Sequence, residues 1–278
     1  MTRTVTLVKP REKIEFDGER CTPWVTTQIL SAHLHRYFLV LDLVQGKRAL
    51  DISCGEGYGS ALMQVNGAAE VTGVDIDTDI IARADRVYGK PSLTFKTADA
   101  RAPLPFENDA FDVVVSFETI EHITEHEGFL AELTRVLTPD GTLVISTPDK
   151  AQSNPNQPNP FHELELGEAE FLALLERHFA HVTPHYQGYL HGSVVTGSGA
   201  QTQNWKRTGF LDYEEDNTTQ RRYILATASN GQAIELPSGM FHDGAIVATL
   251  NRHIEALETR IKELEASGAN RPVETDSE

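Results

Sequence analysis

Arg48-Ala-Leu-Asp51-Ile-Ser53-Cys-Gly55-Glu-Gly57-Tyr-Gly59 reads as a short apolar strand that runs into a glycine-rich turn and then a helix. Glycine in such a turn lets the chain reverse tightly and lets a ligand approach the backbone closely. Alone it is a weak signal. The next apolar run ends in Gly73-Val-Asp75, and Asp75 stands twenty positions after Gly55, a spacing that brings a carboxylate beside the ribose hydroxyls of a bound nucleoside. The run after that ends in Thr97-Ala-Asp99-Ala100, which offers Asp99 to an adenine amino group. Three such features, each at the carboxyl end of a strand, converge on one crevice, although any one of these acids alone is equally suited to capping a helix.

The pattern extends in both directions. From about Thr27 to Leu43, Leu30, Leu34, Tyr37, Phe38 and Leu41 recur at helical spacing, and Gly46 closes the run. Strand-like and helix-like runs then alternate: 48–53 with 59–65, 70–75 with 79–88, 93–97, 111–117 with 127–136, and 142–147. This predicts an α/β fold, a mostly parallel sheet with helices on both faces. A helix over 171–179 and a closing antiparallel pair, 182–191 with 222–228, complete it.

We read four segments: an arm or lid over 1–25 with Pro10, Pro23 and Trp24, one domain over 26–230, a linker and C-terminal helix over 231–266, and a disordered tail over 267–278. In the C-terminal helix Ile246, Leu250, Ile254, Leu257, Ile261 and Leu264 step by four and three, as in a coiled-coil seam. It is expected either to pack on its own domain or to join two copies through 244–266 as a homodimer. The polar stretch 197–219 has no assignment.

Composition narrows the partners. With 24 Lys and Arg against 41 Asp and Glu, the net charge of −17 disfavours nucleic acid and anionic membrane surfaces. Two cysteines, Cys21 and Cys54, form no disulfide or zinc framework, and no apolar run is long enough to span a membrane. A cytoplasmic enzyme is expected.

Two cofactor classes suit the crevice. A dinucleotide turn wants glycine or alanine where this chain has Ser60, and Asp51 and Glu56 surround the turn with negative charge. That charge suits the sulfonium and amino group of S-adenosylmethionine better than a pyrophosphate.

These motifs, with Leu104-Pro-Phe106 through Phe111-Asp112 and Leu137-Thr-Pro-Asp-Gly141, resemble the class I, type 11 S-adenosylmethionine-dependent methyltransferases over roughly 20–190. The resemblance implies a Rossmann-like sheet, with Gly55 and Gly57 cradling the methionine part and Asp51 beside it. It also implies Asp75 at the ribose, Asp99 and Ala100 at the adenine, Phe117 lining the donor site, and Ile76 among the cofactor-binding residues. Ser53 departs from the family's usual glycine.

Glu118-Thr-Ile-Glu121-His122 follows the fourth strand, and on a helix starting near 118 the three polar side chains point the same way. A fourth candidate, His162 in Asn159-Pro-Phe-His-Glu163, follows the next strand. The set Glu118, Glu121, His122 and His162 resembles the metal ligands of small-RNA 3′-terminal 2′-O-methyltransferases and, in part, of ubiquinone-pathway O-methyltransferases. Two carboxylates and two imidazoles point first to Mg²⁺, then to Mn²⁺, Fe²⁺ or Zn²⁺. The ion's task would be to acidify a substrate hydroxyl. His122 and His162 are also the candidate catalytic residues; because a ligating imidazole cannot accept a proton, His126 and His191 are further candidates for the base.

For the acceptor, the Gly18-Glu-Arg arm, the His33-Leu-His35-Arg36-Tyr37 helix, the loop with His162 and the terminal helix resemble sugar O-methyltransferases, notably the mycobacterial glucosylglycerate methyltransferases. A small saccharide is therefore the expected partner, with Tyr186 and Tyr189 as stacking candidates. An acidic sugar would need Arg36, Lys206, Arg207, Arg221 or Arg222. The alternatives are an RNA 3′-end 2′-O-methyltransferase, a metal-free small-molecule methyltransferase and a non-catalytic scaffold.

Overall fold

The computed structural model describes residues 28–153, 159–189 and 220–238. The elements run α1 (Gln28–Val40), β1 (Arg48–Ile52), α2 (Tyr58–Val65), β2 (Glu70–Asp75), α3 (Thr78–Tyr88), β3 (Leu93–Thr97), β4 (Phe111–Phe117), α4 (His126–Val136), β5 (Leu137–Pro148), α5 (Glu168–Leu175), β6 (His181–Tyr189) and β7 (Gln220–Ser229). The seven strands lie in the order β3-β2-β1-β4-β5-β7-β6. Pairings from β3 to β5 are parallel, and β7 runs antiparallel to both β5 and β6. The expected mixed sheet with its closing antiparallel pair is therefore present.

Strands buried on both faces read as continuous apolar runs. Ala49 to Ile52 and Val113 to Val115 follow that rule and are fully enclosed. Two cores result. Tyr37, Val40, Met63, Ala84 and Phe95 pack α1, α2 and α3 on one face. Leu130, Leu133, Phe171 and Leu175 pack α4 and α5 on the other. Truncating a side chain such as Leu130 to Ala would cost about 2–5 kcal/mol. Pro184, with no N–H to donate, sits in β6 at the sheet edge, where the missing donor breaks no central ladder.

Three local details differ from the sequence reading. β5 begins at Leu137, so Thr138-Pro-Asp-Gly141 belongs to the strand, with an irregularity opposite Phe111 to Val113. α5 covers Glu168–Leu175 and starts where the Glu170 carboxylate accepts from the Gly167 N–H at 3.0 Å. No α-helix begins at 118: Glu118 adopts φ +54 and leads into a short 3₁₀ turn, Ile120–His122. The arm over 1–25, the stretch 197–219 and the proposed helix over 244–266 lie outside the described residues.

Candidate functional site

Connections leave β1 and β4 toward opposite ends of the sheet, so a crevice opens above their carboxyl ends. A cleft of about 1290 Å³ occupies that place. One half is walled by Gly55, Asp75, Ile76, Asp99, Ala100 and Phe117.

Asp75 ties this half together. Its Oδ2 accepts the Gly55 N–H at 3.0 Å, and its Oδ1 accepts the Asp77 N–H at 3.0 Å. The helix cap of α3 is instead Asp77, which accepts from Asp79 and Ile80. That leaves Asp75 as a partly satisfied carboxylate on the cleft wall. Gly55 has φ +51, and a Cβ placed there would meet nothing within 4 Å, so the turn leaves open space for a ligand's backbone-hugging part. These features fit an adenosyl cofactor: a carboxylate for the ribose, an open glycine turn, and the Ala98 to Ala100 turn with Ile76 at the adenine end.

Several expected cofactor residues do different work. Gly57 is off the wall; its φ of +77 and a Cβ position 2.7 Å from the Phe95 ring show that it serves the turn and its packing. Asp51 is buried behind the wall, accepting from Tyr37 Oη at 3.0 Å and Ser60 Oγ at 2.5 Å. Burial pushes its carboxyl up to about 7, against the two hydroxyl hydrogen bonds. Glu56 is paired with Arg83. The negative charge expected around the turn is therefore largely spoken for. Asp99 is on the wall but chelated by Arg101, whose hydrogen bonds hold it below the usual carboxylate range. Ser53, the departure from glycine, has φ +55. Cys54 is buried and its thiol is pushed up by burial, which keeps it protonated and unreactive.

The other half of the cleft holds the polar cluster. Potential ligand atoms of Glu121, His122 and His162 lie within 4.8 Å of one another. Helical spacing is not what gathers them. The segment after β5 docks on the 3₁₀ turn, with the N–H groups of Glu163 and Leu164 donating to the Glu121 carbonyl at 2.8 and 3.0 Å. Glu121 is 1% exposed; its Oε2 accepts from Thr147 Oγ1 at 3.2 Å and its Oε1 has no hydrogen-bond partner. Burial, then the neighbouring Glu118, pushes its carboxyl well above the usual range. The His122 and His162 rings meet edge to face at 5.2 Å.

Glu118 is outside this cluster. Its carboxylate lies 3.1 Å from Arg36 Nη1 and accepts from Ser146 Oγ at 2.7 Å, although it still lines the cleft. The four-ligand set is thus reduced to three.

His126, a candidate base, is buried with Nε2 3.1 Å from the Ile120 carbonyl and is absent from the wall. Tyr186 bonds Glu168, and Tyr189 packs on Tyr223; of these rings only Tyr223 borders the cleft. Arg36 is fully buried and committed to Glu118, Gln187 and the Tyr223 ring, so it is not an acceptor-binding cation. Arg222 does reach the wall. Trp24, His191, Lys206, Arg207 and the side chain of Arg221 lie outside the described residues.

Sequence reasoning missed Glu165 and Tyr223, and missed His33 as a wall residue. Burial, then Arg36, lowers His33 to about 3, which keeps it neutral. Its position three residues, under one turn, before Arg36 on α1 gave no distinguishing signal.

Comparison with known proteins agrees with the fold. The family described as a methyltransferase domain matches residues 50–145. A probable S-adenosylmethionine-dependent methyltransferase of Mycolicibacterium smegmatis is 34% identical over 168 residues, covering 59% of this chain and 64% of the relative. A phthiotriol/phenolphthiotriol dimycocerosates methyltransferase of Mycobacterium leprae is 37% identical over 118 residues, 41% of this chain and 43% of the relative. The matched part thus spans less than two thirds of these relatives. The crystal structure of an S-adenosylmethionine dependent methyltransferase from Mesorhizobium loti superposes with a TM-score of 0.50 at 17% identity, covering 69% of this chain and 97% of that one. The fold is that of the Rossmann-like class I methyltransferases, and the family match and relatives support S-adenosylmethionine as the donor.

Proposed function

We propose that this chain is an S-adenosylmethionine-dependent O-methyltransferase that acts on a small saccharide, with a divalent ion at Glu121, His122 and His162 assisting. One observation carries the reading: the Asp75 half of the cleft opens directly onto that cluster, inside the same cavity. Donor and acceptor would meet where β1 and β4 end.

When bound, S-adenosylmethionine supplies an electrophilic sulfonium methyl; transfer forms a carbon–oxygen bond, leaves the sulfur–carbon electron pair on S-adenosylhomocysteine, and releases the hydroxyl proton. The chain's residues do the rest. Asp75 binds the ribose, and Ile76 and Ala100 flank the adenine. Phe117, held edge to face against Tyr37 at 5.1 Å, keeps water from the reacting atoms. Phe161's carbonyl, 2.8 Å from His122 Nδ1, fixes the tautomer so that His122 Nε2 can accept a hydrogen bond or bind an ion. An ion held by the three ligands would lower the pKa of an adjacent sugar hydroxyl and anchor its neighbour, which suits a vicinal diol.

Carboxylates dominate the acceptor half: Glu118, Glu121, Glu163 and Glu165 face Lys150 and Arg222. That balance favours a neutral sugar over glucosylglycerate and over an RNA terminus. The acceptor named for the Mycobacterium leprae relative belongs to another class, so the saccharide reading rests on this site.

The test is incubation of the full chain with methyl-labelled donor and a panel of neutral, acidic and phosphorylated sugars, with and without EDTA. Label should enter a neutral vicinal-diol sugar, and EDTA should stop transfer while donor binding persists. Transfer that resists EDTA, or label entering no sugar, would contradict the reading.

A further inference from the structure

Glu121, His122 and His162 present a more specific ligand set than any two carboxylates and two imidazoles would. We propose that they bind a borderline transition-metal ion, Mn²⁺, Fe²⁺ or Zn²⁺, in preference to Mg²⁺, and that Glu165 is the positioning residue that orients His162 for it. This deepens the metal-assisted reading above and rests on it only for the ion's use in catalysis.

The tautomers support it. A carbonyl can only accept, so His122 Nδ1, 2.8 Å from the Phe161 oxygen, carries the proton and Nε2 carries the lone pair. His162 Nδ1 lies 2.5 Å from Glu165 Oε1, so it too carries the proton, and its Nε2 lone pair points at the Asn159 Nδ2 amide 2.8 Å away. Glu165 is itself fixed by Ser153, whose hydroxyl donates to Oε2. Carboxylate or carbonyl groups bonded to the distal nitrogen of a histidine are the usual outer partners of metal-binding imidazoles. The third donor, Glu121 Oε1, is buried with no hydrogen-bond partner, which is costly unless a cation or proton satisfies it.

Ion choice follows from what is missing. Imidazole suits Zn, Fe and other first-row metals, whereas Mg²⁺ prefers carboxylate and water oxygens. Glu118, the second carboxylate that would tilt the site toward Mg²⁺, is held by Arg36 and Ser146. Two nitrogens and one carboxylate oxygen remain. Asn159 occupies the His162 lone pair in this structure and would have to release it when an ion enters.

The experiment uses metal-stripped full-length protein, with folding checked by circular dichroism and donor binding measured on the same sample. Mn²⁺, Zn²⁺ and Mg²⁺ are titrated calorimetrically, with Mn²⁺ binding also followed by electron paramagnetic resonance. One ion should bind per chain, with Mn²⁺ and Zn²⁺ more than about tenfold tighter than Mg²⁺. Glu165→Gln should weaken Mn²⁺ by at least about tenfold, within the range for outer-shell partners, and Glu118→Gln by distinctly less. No stoichiometric binding, Mg²⁺ within tenfold of Mn²⁺, a smaller loss in Glu165→Gln, or an equal loss in Glu118→Gln would overturn the proposal. Ion binding without methyl transfer would instead leave it standing and count against the proposed function.

Discussion

Arg36 Nη1 lies 3.1 Å from Glu118 Oε1, and the arginine is fully enclosed, with Nε 2.8 Å from Gln187 Oε1 and the guanidinium over the Tyr223 ring. This one side chain joins α1, β6, β7 and the strained residue that follows β4. Glu118 holds φ +54, a conformation that costs about 1–2 kcal/mol for a residue with a Cβ and persists only where its surroundings enforce it. The ion pair, with the Ser146 hydroxyl, is that enforcement.

Replacing Arg36 by Met should therefore do more than remove a charge. It leaves the half-buried Glu118 beside Glu121 without its counter-charge, and the expected loss is about 1–3 kcal/mol in urea unfolding. Arg36→Met with Glu118→Gln should recover most of that loss. A double variant no more stable than Arg36→Met would show that the pair is not what couples these elements.

Ser53 occupies a left-handed position, φ +55, at the mouth of the donor turn. Ser53→Gly relieves the Cβ clash at some entropic cost, so thermal unfolding should show a gain of about 0.5–1 kcal/mol with donor affinity retained. A destabilised Ser53→Gly would mean that the serine makes a compensating contact.

Asp51 gives a pH signature. Its carboxyl is raised from 3.8 to about 7, chiefly by burial. The folded state therefore holds a proton that the unfolded chain releases, and the resulting stability is complete below about 4 and lost as pH rises through 7. Asp51→Asn carries no such proton. The stability difference between Asp51→Asn and the parent should move in the variant's favour from pH 5 to pH 8, measured by urea unfolding at each pH. A difference that stays flat would place the Asp51 carboxyl in its ordinary range.

The sheet was legible because its strands are continuous apolar runs between glycine-rich turns, and the alternation with amphipathic helices left one arrangement. Asp75, Ile76, Asp99, Ala100, Phe117 and Gly55 reached the cleft because each follows directly from a strand end, a position the strand order dictates. Asp51 and Gly57 failed the same reasoning: one residue along the turn decides whether a group faces the ligand or packs against Tyr37 or Phe95. Glu118 was misread because a helix starting at 118 would align it with His122, whereas a buried arginine 82 positions earlier pairs with its carboxylate. Glu165 was missed although it stands only three positions after His162, because no regular element there predicts that the two side chains meet. A long-range side-chain partner such as Arg36 leaves no periodicity in the chain.

The central claim, that this cleft holds S-adenosylmethionine with its ribose on Asp75, is tested most directly by calorimetric titration of the donor into the parent and Asp75→Ala. Loss of a charged hydrogen bond of about 1–3 kcal/mol predicts binding weakened by roughly 5- to 150-fold, with Glu121→Gln binding the donor as the parent does. A parent protein that does not bind the donor, or an Asp75→Ala variant that binds it equally well, would contradict the account.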